Sequence, residues 1–523
     1  MTDTLATRAE RKLGLGDMDG AYADARSALQ QNKHDGRAHF VMSCVALRKG
    51  AIGAARKLCE IAIRLDGDTV DNLAQLALCH LHSGDPITAL DLVGDVFDAP
   101  DAGVATLDNL VQLFHALGLH ERALAAAVRQ SEMAPGNATV KANLGSLKAI
   151  CGDTAGATGA FRDALRVDPV QVDALGNLSA SRKASAEDNN VDRIETLLAS
   201  ATDARTQIKL HYAIAQEFDD LGHTERVFAH LDAGNAIWAN LLAYDGRRDT
   251  LMFERLARFT ARPAQIRPGT CPARPIFVCG MPRSGSTVVE RILTRNSAVR
   301  SIGESPVFGQ SINAAIGNRT LRPFDDALIE SHWDRLPLED IGRGYSHFGD
   351  RATGQAGRVL DKTPLNFHFV PLIAKALPQA RIVFVQRDPM DTVLGNYRML
   401  FNLDNPAFGY SSSIEACAVY VAHAHCLAKQ FERAYPGIFC RLTYEDLVLS
   451  PEMESRRLFK FLNLDWTPDV LDIASNAAPA ASASAVQVKE PLQTSHMGKW
   501  RRFAPHLAEA AKVFQRAGGS AAP

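Results

Sequence analysis

Apolar residues in the first half of the chain recur at three- and four-residue spacing, which is the period of an amphipathic helix. Two successive apolar faces of this kind are formed by Val41, Cys44, Val45 and Leu47, then by Ala54, Leu58, Ile61 and Ala62. Beyond residue 274 the pattern changes to short continuous apolar runs, at 276–279 and 382–385. Such runs are typical of strands buried on both faces of a parallel sheet. The pattern therefore predicts a helical N-terminal part and an α/β C-terminal part.

A 34-residue period divides the helical part. Glycine recurs at that interval, at Gly16, Gly50, Gly84, Gly118 and Gly152. An alanine follows each of these glycines by five residues, at Ala21, Ala55, Ala89, Ala123 and Ala157. A second alanine follows three of the glycines by twelve residues, at Ala28, Ala62 and Ala164. Glycine permits a tight turn and alanine permits close crossing of helices, so the period predicts repeated helical hairpins.

This period, with Pro135 and Pro169 at hairpin ends, resembles the tetratricopeptide repeat over about residues 10–170. The resemblance implies a stack of hairpins with a concave face. Gly222 stands 70 residues after Gly152, which leaves room for one degenerate unit. Two roles for the repeats stay open: they dock a protein or peptide, or they only stabilise or dimerise the chain.

Length and charge narrow the domain organisation and the function classes. A chain of 523 residues exceeds one ordinary core, so two or three domains are expected. We expect repeats over residues 1–170, a degenerate repeat or helical connector over 171–260 and an α/β domain over 270–515. A formal net charge of −2 indicates no broad basic surface for nucleic acid or an anionic membrane.

The first 14 residues are charged and carry no apolar stretch, so we expect neither a secretory signal nor a membrane span. The expected location is cytoplasmic. Nine cysteines are scattered singly with no Cys-x-x-Cys pair. In a reducing compartment this favours buried thiols over disulfides or zinc ligands.

The segment between the first apolar run and the next helix has the spacing of a phosphate-binding loop. It reads Gly280-Met281-Pro282-Arg283-Ser284-Gly285-Ser286-Thr287. A strand, a glycine-bounded loop and a helix start aim backbone N–H groups at one point, where a phosphate or sulfate can bind. Ser286 occupies the place of the lysine that nucleoside triphosphatases use, and Arg283 supplies a different cation.

The Pro-Arg-Ser-Gly-Ser-Thr sequence resembles the 5′-phosphosulfate loop of sulfotransferases. The chain as a whole is similar to the tetratricopeptide-repeat sulfotransferases of bacteria and, more distantly, to the tyrosylprotein sulfotransferases of animals. The resemblance covers residues 270–505. It implies a P-loop-like, three-layer α/β domain that uses 3′-phosphoadenosine 5′-phosphosulfate (PAPS). The loop residues that would hold PAPS are Arg283, Ser284, Gly285, Ser286 and Thr287.

A second family element follows the run at 382–385, where Arg387 stands in an Arg-Asp-Pro sequence. The resemblance implies that Arg387 grips the 3′-phosphate, which suits a planar five-donor cation. The family usually has a serine eight residues later, but this chain has Gly395. Two alternatives follow: Asn396 or Tyr397 replaces that contact, or the affinity for the nucleotide is weaker.

The resemblance also assigns the chemistry. Lys362 corresponds to the lysine that meets the bridging oxygen between phosphate and sulfuryl groups, where a cation neutralises charge on the leaving group. Glu304, in a Gly-Glu pair, is the candidate general base for the acceptor hydroxyl. His368 is the rival base, because the small-molecule enzymes of the family use a histidine near this lysine.

Three further segments match the family. Tyr444 has either a nucleotide-binding or a structural role. Ser484 and Lys489 lie in an Ala/Ser-rich stretch that matches a mobile nucleotide-closing loop. The sequence from Gly498 to Arg501 matches a C-terminal signature.

These observations favour transfer of a sulfuryl group to an acceptor hydroxyl, with peptidyl tyrosine preferred and a glycan or small phenol still open. No metal is expected, because the site brings its own cations and the sequence shows no ligand cluster. Two alternatives remain. One is a P-loop phosphotransferase or ATPase in which Asp388 holds magnesium, and the other is a catalytically inactive repeat scaffold.

Overall fold

The computed structural model describes residues 4–93, 102–261, 269–316, 336–354, 357–475 and 492–519. The chain forms two compact units. The first contains Met1–Pro135 and Ser305–Gln355, and the second contains Gly136–Glu304 and Ala356–Pro523. Each unit is therefore built from two separate stretches of sequence.

Helical hairpins make up most of the first unit. Its N-terminal helices are α1 (Leu5–Gly14), α2 (Met18–Gln31), α3 (Gly36–Arg48), α4 (Ile52–Asp66), α5 (Val70–His82), α6 (Pro86–Val93), α7 (Val104–Ala116) and α8 (His120–Met133). The predicted glycines have left-handed backbone, with φ of 83° at Gly16 and 77° at Gly50. The predicted alanines are completely buried, including Ala21 and Ala55. The structure therefore confirms the predicted hairpins, with glycine in the tight turns and alanine where the helices cross closely.

Short polar side chains begin several of these helices. The carboxylate of Asp17 accepts a hydrogen bond from Gly20 N, and that of Asp35 accepts one from Ala38 N. Such caps satisfy backbone donors that the first helical turn leaves unpaired. The caps and the left-handed glycines together place the ends of the hairpin helices.

Seven helices open the second unit. They are α9 (Ala138–Ile150), α10 (Thr154–Val167), α11 (Val172–Ser181), α12 (Val191–Ser200), α13 (Ala204–Asp220), α14 (Thr224–Leu242) and α15 (Gly246–Ala261). Gly222, from which the sequence predicts a degenerate unit, has φ of 84° between α13 and α14. The last three of them, α13, α14 and α15, pack onto the α/β core of the same unit, where the Trp238 indole N–H donates to the Leu403 carbonyl at 3.4 Å.

The α/β core contains a five-stranded sheet in the order β2-β3-β1-β4-β5 among the described residues, with every neighbouring pair parallel. The strands are β1 (Ile276–Gly280), β2 (Val299–Ser301), β3 (Arg358–Asp361), β4 (Arg381–Gln386) and β5 (Phe439–Thr443). β1 lies between β3 and β4, although β2 follows it in the chain. Ligands of open α/β sheets bind outside the carboxyl ends of strands at such a reversal of order.

Helices cover both faces of the sheet. In chain order the later helices are α16 (Ser286–Thr294), α17 (Val307–Ala315), α18 (Leu338–Thr353), α19 (Val370–Ala376), α20 (Pro389–Tyr397), α21 (Ile414–Ala434), α22 (Tyr444–Leu449), α23 (Pro451–Leu462) and α24 (Ala504–Arg516), of which α17 and α18 belong to the first unit. One face of β1, with Ile276 and Val278, shares a core with α16 and α23. On the other face Phe384 meets Phe367, and Phe439 meets Phe431 of α21. The predicted three-layer α/β fold is therefore confirmed.

Helices α17 and α18 belong to the first unit, although they lie between β2 and β3 in the sequence. α18 packs against α6, where Gly344 faces Ile87. Asp91 of α6 pairs with His347 and Arg351 of α18. The first unit is therefore completed by a segment that is inserted into the α/β sequence. Throughout the described ranges, every helix is too short or too polar to cross a bilayer.

Candidate active site

The loop after β1 turns sharply around three residues with positive φ. A Cβ at Gly280 would lie 2.3 Å from the Val385 carbonyl oxygen, so only glycine fits there. Arg283 has φ of 67°, which is unusual for a residue with a side chain. At Gly285, with φ of 100°, a Cβ would lie 2.4 Å from Cδ2 of Tyr444. The backbone thus follows the strand, loop and helix path that the sequence predicts.

Hydroxyl side chains line this loop and the start of α16. Ser284, Ser286 and Thr287 are all buried, at 1%, 5% and 4% exposure. Within the described residues the Ser284 hydroxyl has no hydrogen-bond partner. A buried hydroxyl without a partner is unfavourable, and an anion oxygen at the helix start would satisfy it.

Positive side chains gather beside the loop. The cluster consists of Arg283, Arg387, Arg398 and Lys499. Burial, and then the charges of Arg387 and Arg398, lower the pKa of Arg283 to about 10. Burial and the other three cations lower the pKa of Lys499 in the same way. Four cations held close together form a favourable site for a ligand with several negative charges.

Arg387 lies at the carboxyl end of β4 and is held by its neighbours. Its guanidinium donates to Asp391 Oδ2 at 3.3 Å and to the Arg283 carbonyl at 3.3 Å. The guanidinium carbon also lies 4.9 Å from the centre of the Tyr444 ring. Because Tyr444 also packs on Gly285, one aromatic ring contacts both the loop and Arg387.

Asp391 connects this arginine to the C-terminal segment. Its carboxylate accepts hydrogen bonds from Gly498 N at 2.7 Å and Trp500 N at 3.0 Å. It thereby places Lys499 in the cation cluster. Sequence reasoning gave Asp391 no role, although its position four residues after Arg387 was a usable signal for an ion pair.

The helical connector supplies a second carboxylate that sequence reasoning missed. Asp219 of α13 pairs with Arg398, and its other oxygen accepts from Arg502 at 2.6 Å. One cation of the cluster is therefore positioned by a helix more than 170 residues earlier in the chain. Only the tertiary structure brings these two residues together.

Gly395 stands where the family usually has serine, and its neighbour explains the difference. A Cβ at this position would lie 2.9 Å from Cβ of Arg283. Contacts below 3.0 Å force a shift, so a serine at position 395 would require either Arg283 or its own backbone to move. Glycine at 395 is therefore part of how this chain seats Arg283.

The two residues that sequence reasoning offered in place of the serine bind protein groups instead. Asn396 is buried, donates to the Pro282 carbonyl at 2.7 Å and accepts from the Tyr410 hydroxyl at 2.9 Å. The Tyr397 hydroxyl pairs with Asp232 of α14. Asn396 therefore supports the loop backbone just before Arg283 rather than facing a ligand.

Lys362 follows β3 and lies between two carboxylates. Its ammonium group is completely buried, 2.5 Å from Glu304 Oε1 and 3.9 Å from Glu290 Oε2. Burial alone would lower the pKa of Lys362, but the charges of Glu304 and Glu290 outweigh it and raise that pKa. The structure thus brings together Lys362 and Glu304, the two residues to which the resemblance gives the leaving-group and base roles. Glu290 was not foreseen.

Comparison with known proteins now identifies this part of the chain. Residues 275–468 match a family described as "Sulfotransferase family". They form a sulfotransferase domain. The resemblance drawn from the loop and the strand that precedes Arg387 is thereby confirmed.

Relatives match the chain over part of its length. An "Uncharacterized protein" of Aquifex aeolicus (strain VF5) is 26% identical over 63% of this chain and 44% of its own length. A "Putative protein-tyrosine sulfotransferase" of Caenorhabditis briggsae is 25% identical over 43% of this chain and 80% of its own. The "Protein-tyrosine sulfotransferase" of Drosophila melanogaster is 25% identical over 43% of this chain and 46% of its own. The chain therefore spans less than half of the Aquifex and Drosophila proteins.

His368, the rival base, lies in an aromatic cluster of the sulfotransferase domain. It belongs to a short 3-10 helix, Pro364–Phe369, and its Nε2 lies 2.9 Å from the Tyr420 hydroxyl. Phe367 and Phe253 pack against its ring. Burial lowers the pKa of His368 to about 3, so its neutral ring is a weak proton acceptor. Glu304, by contrast, has 41% of its side chain exposed.

Asp388, which a magnesium-dependent phosphotransferase would need, has a structural role in the sulfotransferase domain. Its carboxylate caps α20 by accepting from Met390 N at 2.9 Å and Asp391 N at 3.0 Å. Over the described part of the chain, no group of three or more His, Cys, Asp or Glu residues could hold a metal ion. Ser484 and Lys489 lie outside the described residues.

Proposed function

We propose that the chain transfers a sulfuryl group from PAPS to an acceptor hydroxyl. The observation that carries this proposal is the cation cluster beside a loop whose buried Ser284 hydroxyl has no hydrogen-bond partner among the described residues. PAPS has a phosphosulfate at one end and a 3′-phosphate at the other. A site with several cations and no lysine at position 286 fits those charges better than a triphosphate with magnesium.

In this proposal the loop holds the phosphosulfate through Arg283, Ser284, Ser286, Thr287 and the backbone N–H groups around Gly285. Arg387 holds the 3′-phosphate, with Tyr444 packed beside it. Ser484 and Lys489 would complete the nucleotide site. No metal ion is needed, since the charges come from the side chains.

Glu304 takes the proton from the acceptor hydroxyl while the oxygen of that hydroxyl bonds to sulfur. The bond between sulfur and the bridging oxygen breaks, and its electron pair stays on the leaving 5′-phosphate. Lys362 neutralises the charge that grows there. The proximity of these two side chains, 2.5 Å in the described state, supports their joint action.

The acceptor in this proposal is a tyrosine in a protein or peptide. Two of the relatives described above are named as protein-tyrosine sulfotransferases. Helical hairpins with a 34-residue period are suited to holding a polypeptide. The proposal includes a cytoplasmic location and no membrane or nucleic-acid partner. Dimerisation through the repeats remains the alternative use of the array.

The acceptor proposal predicts transfer to a tyrosine peptide. The full chain is incubated with PAPS and a peptide containing one tyrosine, and the control peptide has phenylalanine at that position. We expect the tyrosine peptide alone to gain the mass of one SO₃ group, because only its phenol provides an acceptor oxygen. Tandem mass spectrometry locates the modified residue, and a small phenol and an oligosaccharide are tested in parallel.

The outcomes separate the two parts of the proposal. Transfer to the phenol or the oligosaccharide without transfer to the peptide would contradict the tyrosine assignment and leave sulfuryl transfer intact. No transfer to any acceptor, from a chain that is folded and binds 3′-phosphoadenosine 5′-phosphate (PAP), would favour the inactive scaffold.

A further inference from the structure

We propose that Glu290 is a positioning residue that keeps Lys362 in place and charged while Glu304 is released to act as the base. The inference rests on the function proposed above and adds a second, fixed carboxylate to it. Glu290 is the fifth residue of α16, the helix that begins at the phosphate loop.

The geometry around Glu290 is that of an anchored carboxylate. Its Oε1 accepts from the Ser301 hydroxyl at 2.5 Å, and its Oε2 lies 3.9 Å from the Lys362 ammonium group. That Oε2 is buried, and among the described residues it has no hydrogen-bond partner. A movement of less than 1 Å in Lys362 would therefore turn the ion pair into a direct hydrogen bond, at about 3 Å.

The two carboxylates on Lys362 differ in exposure. The side chain of Glu304 is 41% exposed, whereas that of Glu290 is 6% exposed. The Glu304 side chain can therefore turn toward the acceptor hydroxyl, whereas the buried Glu290 side chain stays beside Lys362. Glu304 also needs to turn, because the carboxylate oxygen nearest Lys362 is engaged by the ammonium group and is a poor acceptor for a second proton.

Without Glu290, release of Glu304 would leave Lys362 completely buried, with PAPS as its main source of a compensating negative charge. Burial disfavours the charged form of lysine. Asp361 also raises the pKa of Lys362, but less than Glu304 and Glu290 do, and its Oδ1 already accepts from Thr363 Oγ1 at 2.6 Å and Asn366 Nδ2 at 3.1 Å. When Glu304 turns away, Glu290 is therefore the main carboxylate that holds the positive charge of Lys362.

Glu290 also connects the phosphate-loop helix to the turn that carries the base. The Ser301 hydroxyl donates to Glu290 and accepts from Gly303 N at 2.9 Å. The Gly303 carbonyl in turn accepts from Lys362 N at 2.9 Å. One buried side chain thus fixes α16, the turn before Glu304 and the start of the lysine segment.

The test is the pH dependence of kcat in the full-length Glu290→Gln variant, with PAPS and the tyrosine peptide. Loss of the Glu290 charge lowers the pKa of Lys362, so the protonated lysine is lost at lower pH. The alkaline limb of kcat should move down by about one pH unit or more, which is about a tenfold loss of kcat on that limb. PAP affinity should stay within about twofold, because the loop and Arg387 hold the nucleotide.

Two further variants keep this test decisive. Ser301→Ala removes the hydroxyl link but no charge, so it should lower kcat without moving the alkaline limb. Glu290→Asp keeps the charge at a greater distance, and a smaller shift in the same direction is expected. If Glu290→Gln does not fold, the shift of the alkaline limb in Glu290→Asp tests the role of Glu290 instead.

The possible results distinguish this inference from the proposed function. A wild-type chain that transfers no sulfuryl group would overturn both. A wild-type chain that is active, with a Glu290→Gln variant that keeps the wild-type alkaline limb, would overturn the role of Glu290 alone.

Discussion

Replacing Arg283 with alanine is expected to lower kcat by roughly 10²–10³-fold while PAP affinity changes much less. The guanidinium belongs to the cation cluster beside the loop, where it would meet charge that develops on the transferring group. An interaction that is stronger in the transition state than in the ground state acts on kcat. Initial rates with PAPS and the tyrosine peptide, together with calorimetric titration of PAP, measure the two effects.

The backbone at Arg283 requires a matched control. Its φ of 67° is strained for alanine, by about 1–2 kcal/mol, but not for glycine. Arg283→Gly removes the same guanidinium without that strain. Equal losses of kcat in both variants would assign the effect to the side chain. A raised KM with unchanged kcat would show instead that Arg283 only binds the ground state.

Replacing Glu304 with glutamine is expected to lower kcat by roughly 10²–10⁴-fold, the usual contribution of a positioned base. Glutamine keeps the size of the side chain and can still accept one hydrogen bond from Lys362, but it cannot take a proton. PAP binding should persist, since the proposed nucleotide contacts lie on other residues. Single-turnover rates measure the chemical step apart from product release.

His368→Asn is the comparison variant for the base. Because burial lowers the pKa of His368 to about 3 and its ring is held by Tyr420, we expect a much smaller effect on kcat. Thermal unfolding of each variant is measured alongside, since His368 is part of a buried aromatic cluster. If His368→Asn abolishes turnover and Glu304→Gln does not, the base is His368.

The sequence predicted those parts of the fold whose causes are local. Gly16 and Gly50 have left-handed backbone, and Ala21 and Ala55 are completely buried, because a tight turn and a close helix crossing restrict the residue type directly. The phosphate loop was predictable for the same reason, since a Cβ at position 280 would collide with backbone.

Other parts of the site depend on contacts between distant segments, which no local pattern reveals. Asp219 reads as an ordinary helical carboxylate until the fold places it against Arg398 and Arg502. Glu290 reads as a polar residue on an amphipathic helix until β2 and β3 bring Ser301 and Lys362 to it. In both cases the sequence shows the charge but not its partner.

The departure at Gly395 shows a third situation. Comparison with the family pattern flags a missing hydroxyl, which suggests weakened nucleotide binding. The structure instead relates the glycine to the left-handed conformation of Arg283, whose Cβ occupies the space that a side chain at 395 would need. A family pattern describes one residue at a time, whereas this chain changes a position to fit its neighbour.

The central claim is that this site is built for a nucleotide with a 5′-phosphosulfate and a 3′-phosphate, and not for a triphosphate with magnesium. Its most direct test is calorimetric titration of the full chain with PAP and, separately, with ATP and magnesium. PAP is expected to bind one per chain and at least tenfold more tightly than ATP, which corresponds to about 1.4 kcal/mol. Tighter binding of ATP with magnesium, or binding of PAP that Arg387→Ala leaves unchanged, would contradict the claim.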